Sequence, residues 1–434
     1  MDRQSIGKSN RIGFFSFLIL SPALMLFNGQ NQEARFRDIS VRLLNSEKKI
    51  IPIYFQYDPI WHSDIKLPPI VLKNMSGAEI SLERCVIAAK SGGHEVIRAT
   101  IGKERVAADV LESGKLINRL LSNPGDLWKP YNLKKRFGNV SEKGRFNETA
   151  KLQTGEKACL TFADRVSLHY AGPEKIDEMS IQIFARMSGN DISADFPVVL
   201  TPYACKGKYI FPVPGSATVG LTPVNGHRML QSSEFAVDIN DNRRLVDGQL
   251  SPSDPPRSSK VADYFAFNRD VVAVGDGEVV MTGNDWPDKP MDNPLLYSEK
   301  RVYDLTVGLI KKGVEFQNAY LGNYVIIDHQ NGEFSAYVHL AQNTIAVRSR
   351  DKVVQGQVIG RIGNTANSTD PHLHFQLMDS SDYAAANGLP VMFTNLPTPL
   401  LSVWDMNIAN TLFYSDYLFV HTTKPSSGQA GEKK

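Results

Sequence analysis

The segment GNTANSTDPHLHF, residues 363–375, sets His372 and His374 two positions apart with Leu373 between them. Successive side chains of a β-strand point to opposite faces, so the two imidazoles share one face. Leu373, Phe375 and Leu377 then line the other, where they can enter a core. Paired imidazoles can ligate a metal or move protons. The pair alone is matched evenly by a structural role, so the reading depends on what else reaches that face.

Three further residues qualify. In FSAYVHL, alternation puts Phe334, Ala336, Val338 and Leu340 on an apolar face and Ser335, Tyr337 and His339 on the other. In FAVDI, Phe235, Val237 and Ile239 turn inward and Asp238 turns away. His227, in VNGHRML, precedes Asp238 by a loop, so parity does not reach it. Only nine histidines occur in the chain, which makes this concentration notable. A catalytic zinc takes three ligands from His, Asp, Glu or Cys and keeps a fourth position for water, whose pKa falls to about 7. Additional imidazoles can move protons or stabilise the oxyanion of a tetrahedral intermediate. Four histidines and one aspartate supply three ligands and two catalytic groups. His329, beside Asp328 at a hairpin end, reads as structural or solvent-exposed. Tyr337 and Asn323 suit the site's lining and ordinary packing or turn roles equally.

Other hydrolytic signatures are missing. The nearest approach to HExxH is His94-Glu95-Val96-Ile97-Arg98, which lacks the second histidine, and no Gly-x-Ser-x-Gly elbow occurs.

The elements that must position these groups are mostly strands. Residues 36–205 carry the β-runs IPIYFQY, PPIVLKN, ISLERCVIAA, HEVIRATIG, ACLTFA, VSLHY and MSIQIFARM, with one segment of helical spacing, AADVLESGKLINRLL. They predict a β-sandwich-like domain whose role the residues do not reveal. KYIFPVPG opens a second domain, 208–395, read as antiparallel and all-β. Its FAVDI, VVAVGDGEVVMT, GNYVIIDH, FSAYVHL and PHLHF are strand-like, and Asn331-Gly332 predicts a hairpin. Polar, proline-rich stretches at 240–260 and 283–301 are long enough to be functional walls or disordered loops. Residues 396–434 form a C-terminal extension ending in a disordered tail, KPSSGQAGEKK.

The chain of 434 residues has a net charge of +2, which gives no electrostatic basis for a nucleic-acid partner. Residues 1–28 combine Arg3, Lys8 and Arg11 with an apolar run, the pattern of an export signal or an N-terminal membrane anchor. Three cysteines, Cys85, Cys159 and Cys205, permit at most one bridge.

GNYVIIDHQNGEFSAYVHL followed by VVQGQVIGRIGNTANSTDPHLHF resembles the lysostaphin-type (LytM-like) zinc metallopeptidases, which cleave peptide cross-links of bacterial peptidoglycan. The resemblance covers about residues 208–380 and is densest over 322–375. It implies a small antiparallel β-sheet metallopeptidase domain with a groove lined by loops, and one Zn2+ per chain. It makes His227, Asp238 and His374 the metal ligands and His339 and His372 the catalytic histidines. Two departures stand out. Ten residues separate His227 from Asp238 where the family has a few, and Ala366 and Asp370 replace frequent glycines. The implied function is a zinc endopeptidase exported to the periplasm, cell envelope or exterior and acting on peptidoglycan peptides. A catalytically silent wall-binding or hydrolase-regulating protein and a secreted zinc peptidase acting on proteins are the alternatives.

Overall fold

The computed structural model describes residues 33–44, 49–57, 59–122, 145–161, 167–220, 232–291, 299–383, 386–396 and 417–421. His227, residues 1–28 and the C-terminal tail lie outside them. The protein is mainly β, built from several antiparallel sheets.

In the N-terminal half, strands Glu33–Arg35, Ile39–Leu43, Ile70–Asn74 and Lys157–Leu160 form one sheet. A second is ordered Asn190–Pro197, Ile176–Met187, Ile80–Ser91, His94–Ile101, with Lys151–Leu152 against Ile80–Ser91. Inward residues of both meet in one cluster that includes Val41, Leu72, Leu82, Ile87, Ile181 and Ile183. Helix Lys103–Ser122 adds Val106 and Val110, four residues apart on one face. The helix and each quoted β-run appear where the sequence placed them.

Among the strands that escaped that reading are Ile39–Leu43, Ile60–Lys66 and Asn190–Pro197. The last, NDISADFP, is an outer strand that turns Ala194 and Phe196 into the core and Asp191, Ser193 and Asp195 outward, a period-2 alternation legible in the sequence. What sets it is the turn before it: Ser188 and Gly189 both adopt positive φ, 49° and 84°, and Met187 pairs directly with Asn190.

The C-terminal half centres on a nine-stranded sheet. Its order is Lys352–Val353, Gly277–Gly283, Asn323–Asp328, Phe334–Leu340, Leu373–Met378, Val237–Asn240, Ser216–Gly220, Tyr417–His421. Gly388–Leu389 also pairs with Leu373–Met378. One face packs Val237, Ile239, Val325, Tyr337, Leu373 and Phe375 into a cluster closed by the two-stranded sheet Asp270–Val272 and Val358–Arg361. The other carries Tyr324, Ile326, Ala336, Val338 and Met378 and is covered by Leu321, Ile310 and Tyr383. Leu321 and Ile310 come from two helices, Phe316–Leu321 and Glu299–Lys311, so this half is not all-β. The polar stretch preceding the longer helix concealed its start.

Ile51, Tyr203 and Cys205, from the N-terminal side, pack against the C-terminal cluster. No disulfide joins Cys85, Cys159 or Cys205. Among the described residues no helix is long and apolar enough to cross a membrane.

Candidate metal and catalytic centre

Strand Leu373–Met378 fixes the first pair of groups. Leu373, Phe375 and Leu377 enter the cluster on one face, which turns His374 and Gln376 to the other. Cross-strand partners share a face, and His374 stands opposite Asp238 on one side and Val338 on the other. Asp238 Oδ1 is 3.1 Å from His374 Nδ1 and 3.6 Å from His372 Nε2. The parity expected for Asp238, His372 and His374 thus matches their placement.

His339 reaches the same place by another route. Alternation grouped it with Tyr337 and Ser335, but Tyr337 faces away from the site. It pairs with Phe375 in the apolar cluster, where its hydroxyl accepts hydrogen bonds from Val274 N–H at 2.8 Å and Ser335 Oγ at 3.1 Å. Had the strand continued regularly, His339 would follow Tyr337 into the core. Instead the ladder skips it: Tyr324 pairs with Val338 and Asn323 with Leu340. His339 is the extra residue of a β-bulge, with φ at 64°. Its ring centroid lies 5.1 Å from that of His372 and 5.9 Å from that of His374. Leu340 resumes the core face.

A left-handed conformation costs a residue with a Cβ about 1–2 kcal/mol. The surroundings hold it there. His339 C=O accepts from Gly363 N–H at 3.0 Å, and Leu340 C=O accepts from Asn323 Nδ2 and Thr365 Oγ1, both at 3.1 Å. Asn323 also brackets Trp286 through its backbone N–H and C=O, each at 2.8 Å. Its role is therefore to join the bulge to the neighbouring loop.

Hydrogen bonds set the protons. His372 Nδ1 lies 2.7 Å from Asp370 C=O, which can only accept, so Nδ1 carries the hydrogen and Nε2 presents its lone pair. Ser368 Oγ, its own hydrogen given to Asp370 C=O at 2.6 Å, supports the same nitrogen at 3.2 Å. His374 Nε2 is 3.0 Å from Gln376 Oε1 and 3.2 Å from Tyr383 OH, and Ser233 Oγ donates to the same Gln376 oxygen at 2.8 Å. The amide orientation that turns Oε1 to the ring assigns the proton to Nε2 and leaves Nδ1 bare toward Asp238. Burial, then repulsion from His372 and His374, pushes His339 well below the ordinary imidazole value, so it is neutral at pH 7. Its Nδ1 is buried with no hydrogen-bond partner among the described residues.

In that tautomer of His374 the imidazole nitrogen and the carboxylate oxygen, 3.1 Å apart, are two acceptors. Such a pair calls for a cation between them. An imidazole whose far nitrogen is held by an amide oxygen is the usual posture of a metal-bound histidine. The donor set fits zinc, which accepts nitrogen and carboxylate ligands. Among the described residues no group of three or more His, Cys, Asp or Glu side chains is arranged to hold a metal. Asp238 and His374 bring two candidate donors together, and His227 falls outside those residues.

Sequence reasoning missed Gln376, Tyr383 and Ser233. Gln376 was available from parity, two residues beyond His374. Ser233 and Tyr383 arrive from separate loops, and burial pushes Tyr383 well above the usual phenol range. His329 is structural: Nδ1 meets Asp276 C=O and Nε2 meets Ser335 Oγ, each at 2.8 Å.

Residues 258–387 match the model of Peptidase family M23. The chain is similar to the peptidoglycan DD-endopeptidase ShyA of Vibrio cholerae serotype O1, with 42% identity over 80 residues covering 18% of this chain and 16% of that protein. It is also similar to the DD-carboxypeptidase/endopeptidase Mpg of Neisseria meningitidis serogroup B, with 40% identity over 86 residues covering 19% of this chain and 18% of that protein. The match spans less than a fifth of either relative's length. Among solved structures, the catalytic domain of the antimicrobial peptidase lysostaphin from Staphylococcus simulans aligns with 21% identity over 42% of this chain and 86% of that one, at a TM-score of 0.21.

Proposed function

We propose, from the match of residues 258–387 to the model of Peptidase family M23, that this chain is a zinc-dependent endopeptidase that hydrolyses peptide cross-links of peptidoglycan. The observation that carries this reading is the convergence of Asp238 Oδ1 with His374 Nδ1 at 3.1 Å and His372 Nε2 at 3.6 Å. The similarity to peptidoglycan endopeptidases supports the substrate class. His227, Asp238 and His374 would hold one Zn2+. Bound there, it would supply Lewis acidity and lower the pKa of water.

The chain's own groups handle the protons. His372, with Nδ1–H tied to Asp370 C=O, offers Nε2 to the attacking water. As the water oxygen bonds to the peptide carbon, Nε2 takes one proton. It returns that proton to the leaving nitrogen when the C–N bond breaks, giving a carboxylic acid and an amine, which exchange the remaining proton to become carboxylate and ammonium. His339, neutral and held by the bulge, donates its N–H to the carbonyl oxygen as negative charge develops there. Ser233, Gln376 and Tyr383 keep the His374 ring turned toward Asp238.

An enzyme with this substrate works outside the cytoplasm. We assign residues 1–28 to export or N-terminal anchoring, 36–205 to an accessory β-rich domain, 208–395 to the peptidase and 396–434 to a C-terminal extension. The test is digestion of purified peptidoglycan followed by mass spectrometry of the released peptides. New peptide ends that vanish in His372→Ala are expected and would name the bond cut. Wall binding by a zinc-loaded chain that releases nothing would overturn the enzymatic reading in favour of a silent binder.

A further inference from the structure

The polar stretch after strand Gly277–Gly283 lies against the loop 363–370, which leads into His372. Residues 284–291 form a strap anchored at several points. Asp288 accepts hydrogen bonds from Asn364 N–H at 2.6 Å and Gln342 N–H at 3.0 Å. Lys289 N–H donates to Asn364 C=O, and Asn364 Nδ2 donates back to Lys289 C=O, both at 3.0 Å. The approach is close enough to require glycine at 363. A Cβ there would come within 2.4 Å of Ala341 N and 2.6 Å of Asp288 Oδ1.

From this strap the Lys289 ammonium enters the loop. Nζ donates to Ala366 C=O at 2.6 Å and to Ser368 C=O. Ala366 has φ at 51°, a conformation that a residue with a Cβ keeps only when its surroundings impose it. Ser368 is the residue whose hydroxyl bonds Asp370 C=O at 2.6 Å and approaches His372 Nδ1 at 3.2 Å. Burial lowers Lys289 to about 8, so its ammonium has largely left bulk water and relies on these carbonyls.

We propose that Lys289 is a positioning residue for His372: by fixing the carbonyls of Ala366 and Ser368 it sets the loop that holds the His372 ring in its Nδ1–H tautomer. The inference rests on the catalytic role proposed above for His372. Sequence shows no link between the two, which lie in separate segments of the chain. The strap thus completes the site from a distance, and its sequence sets the orientation of the proton-transfer group.

Full-length protein carrying Lys289→Met or Lys289→Arg distinguishes this from simple bracing. In proton–nitrogen correlation spectra, the His372 ring signals are identified by their loss in His372→Ala. Wild type should show one tautomer with the proton on Nδ1. Lys289→Met should show a mixture of tautomers, a kcat lower by about 10²-fold and an unchanged KM, since small misplacements of catalytic groups have effects of that size. Lys289→Arg, which keeps a cationic donor, should restore both. A Lys289→Met protein with a single Nδ1–H tautomer and wild-type kcat overturns the proposal. Should Lys289→Met not fold, Lys289→Gln, with a shorter polar head, serves the same comparison. Wild type that shows the tautomer but cleaves no peptidoglycan would defeat the proposed function, while the tautomer comparison would still decide the role of Lys289.

Discussion

The hairpin formed by Asn323–Asp328 and Phe334–Leu340 has two polar ends, and they are built on opposite rules. At the turn, the Glu333 carboxylate meets only donors: Tyr203 OH and Lys206 N–H on Oε1, and Gly207 N–H, Tyr209 OH and Asn331 Nδ2 on Oε2. His329 beside it has both nitrogens engaged. At the far end, the Asp238 carboxylate meets imidazole nitrogens whose protons are tied elsewhere, and His339 Nδ1 has no partner among the described residues. Satisfied polar groups brace a fold. Acceptors turned toward one another can hold a cation, and that difference distinguishes Glu333, a bracing carboxylate, from Asp238, the proposed metal ligand.

The largest effects should come from removing that confrontation of acceptors. His374→Ala or Asp238→Asn is expected to take zinc from about one per chain to nearly none and to abolish turnover, since three ligands are the minimum for a catalytic site. Metal analysis of purified protein checks this. Metal content unchanged in either variant would mean that the two acceptors are bridged by a proton instead. His227→Ala tests the third ligand by the same measurement.

Next come the histidines assigned to protons. His372→Ala and His339→Ala should retain zinc and lower kcat by about 10²–10⁴-fold, the usual contribution of a general acid–base group. Loss of zinc in either would move that residue into the ligand set.

How far the residues announce this arrangement depends on which physical rule governs each one. A strand's period of two made the shared face of Asp238, His372 and His374 legible, because a buried apolar stripe fixes the register. His339 was identified for a reason that fails in the fold. Its face depends on a bulge, and FSAYVHL alternates as if none existed. Only the skipped pairing opposite Asn323 and Tyr324 reveals it. Most alternating β-runs were found, but Asn190–Pro197, which alternates Ile192, Ala194 and Phe196 with polar residues, and helix Glu299–Lys311, masked by its polar lead-in, were not. Ser233, Tyr383 and Lys289 meet the site only through tertiary packing, which no local pattern encodes.

A smaller effect, on stability, is expected at the braced end. Burial alone would raise Glu333, but the hydrogen bonds from Tyr203, Tyr209, Lys206 N–H and Gly207 N–H outweigh it, and the group is lowered overall. A lowered carboxylate adds stability that is present above its unfolded value, about 4.3, and is lost as pH falls through the folded one. Glu333→Gln turns an amide toward N–H or O–H donors and should lower stability by about 3 kcal/mol at pH 7, the upper range for hydrogen bonds to a charged group. The gap from wild type should narrow in acid. Denaturant unfolding at pH 7 and pH 3.5 checks both, and an equal gap at the two values would mean that ionisation is irrelevant to the brace.

The mildest change is at His329, which makes it the sharpest control on the comparison. His329→Ala removes two hydrogen bonds of 2.8 Å and a ring contact with Tyr209 at 4.8 Å between centroids, but nothing that faces the site. The expected loss is about 1 kcal/mol at pH 7.5, with kcat and zinc content unchanged. Burial pulls His329 below the ordinary imidazole value, so the unfolded chain binds the proton more readily. Wild type therefore loses stability as pH falls below about 6.5, whereas the variant lacks this contribution. The difference between them should shrink from pH 7.5 to pH 5. A widening difference would show that the imidazolium is the form the hairpin end stabilises, and would align His329 with groups that await a proton, erasing the distinction between the two ends.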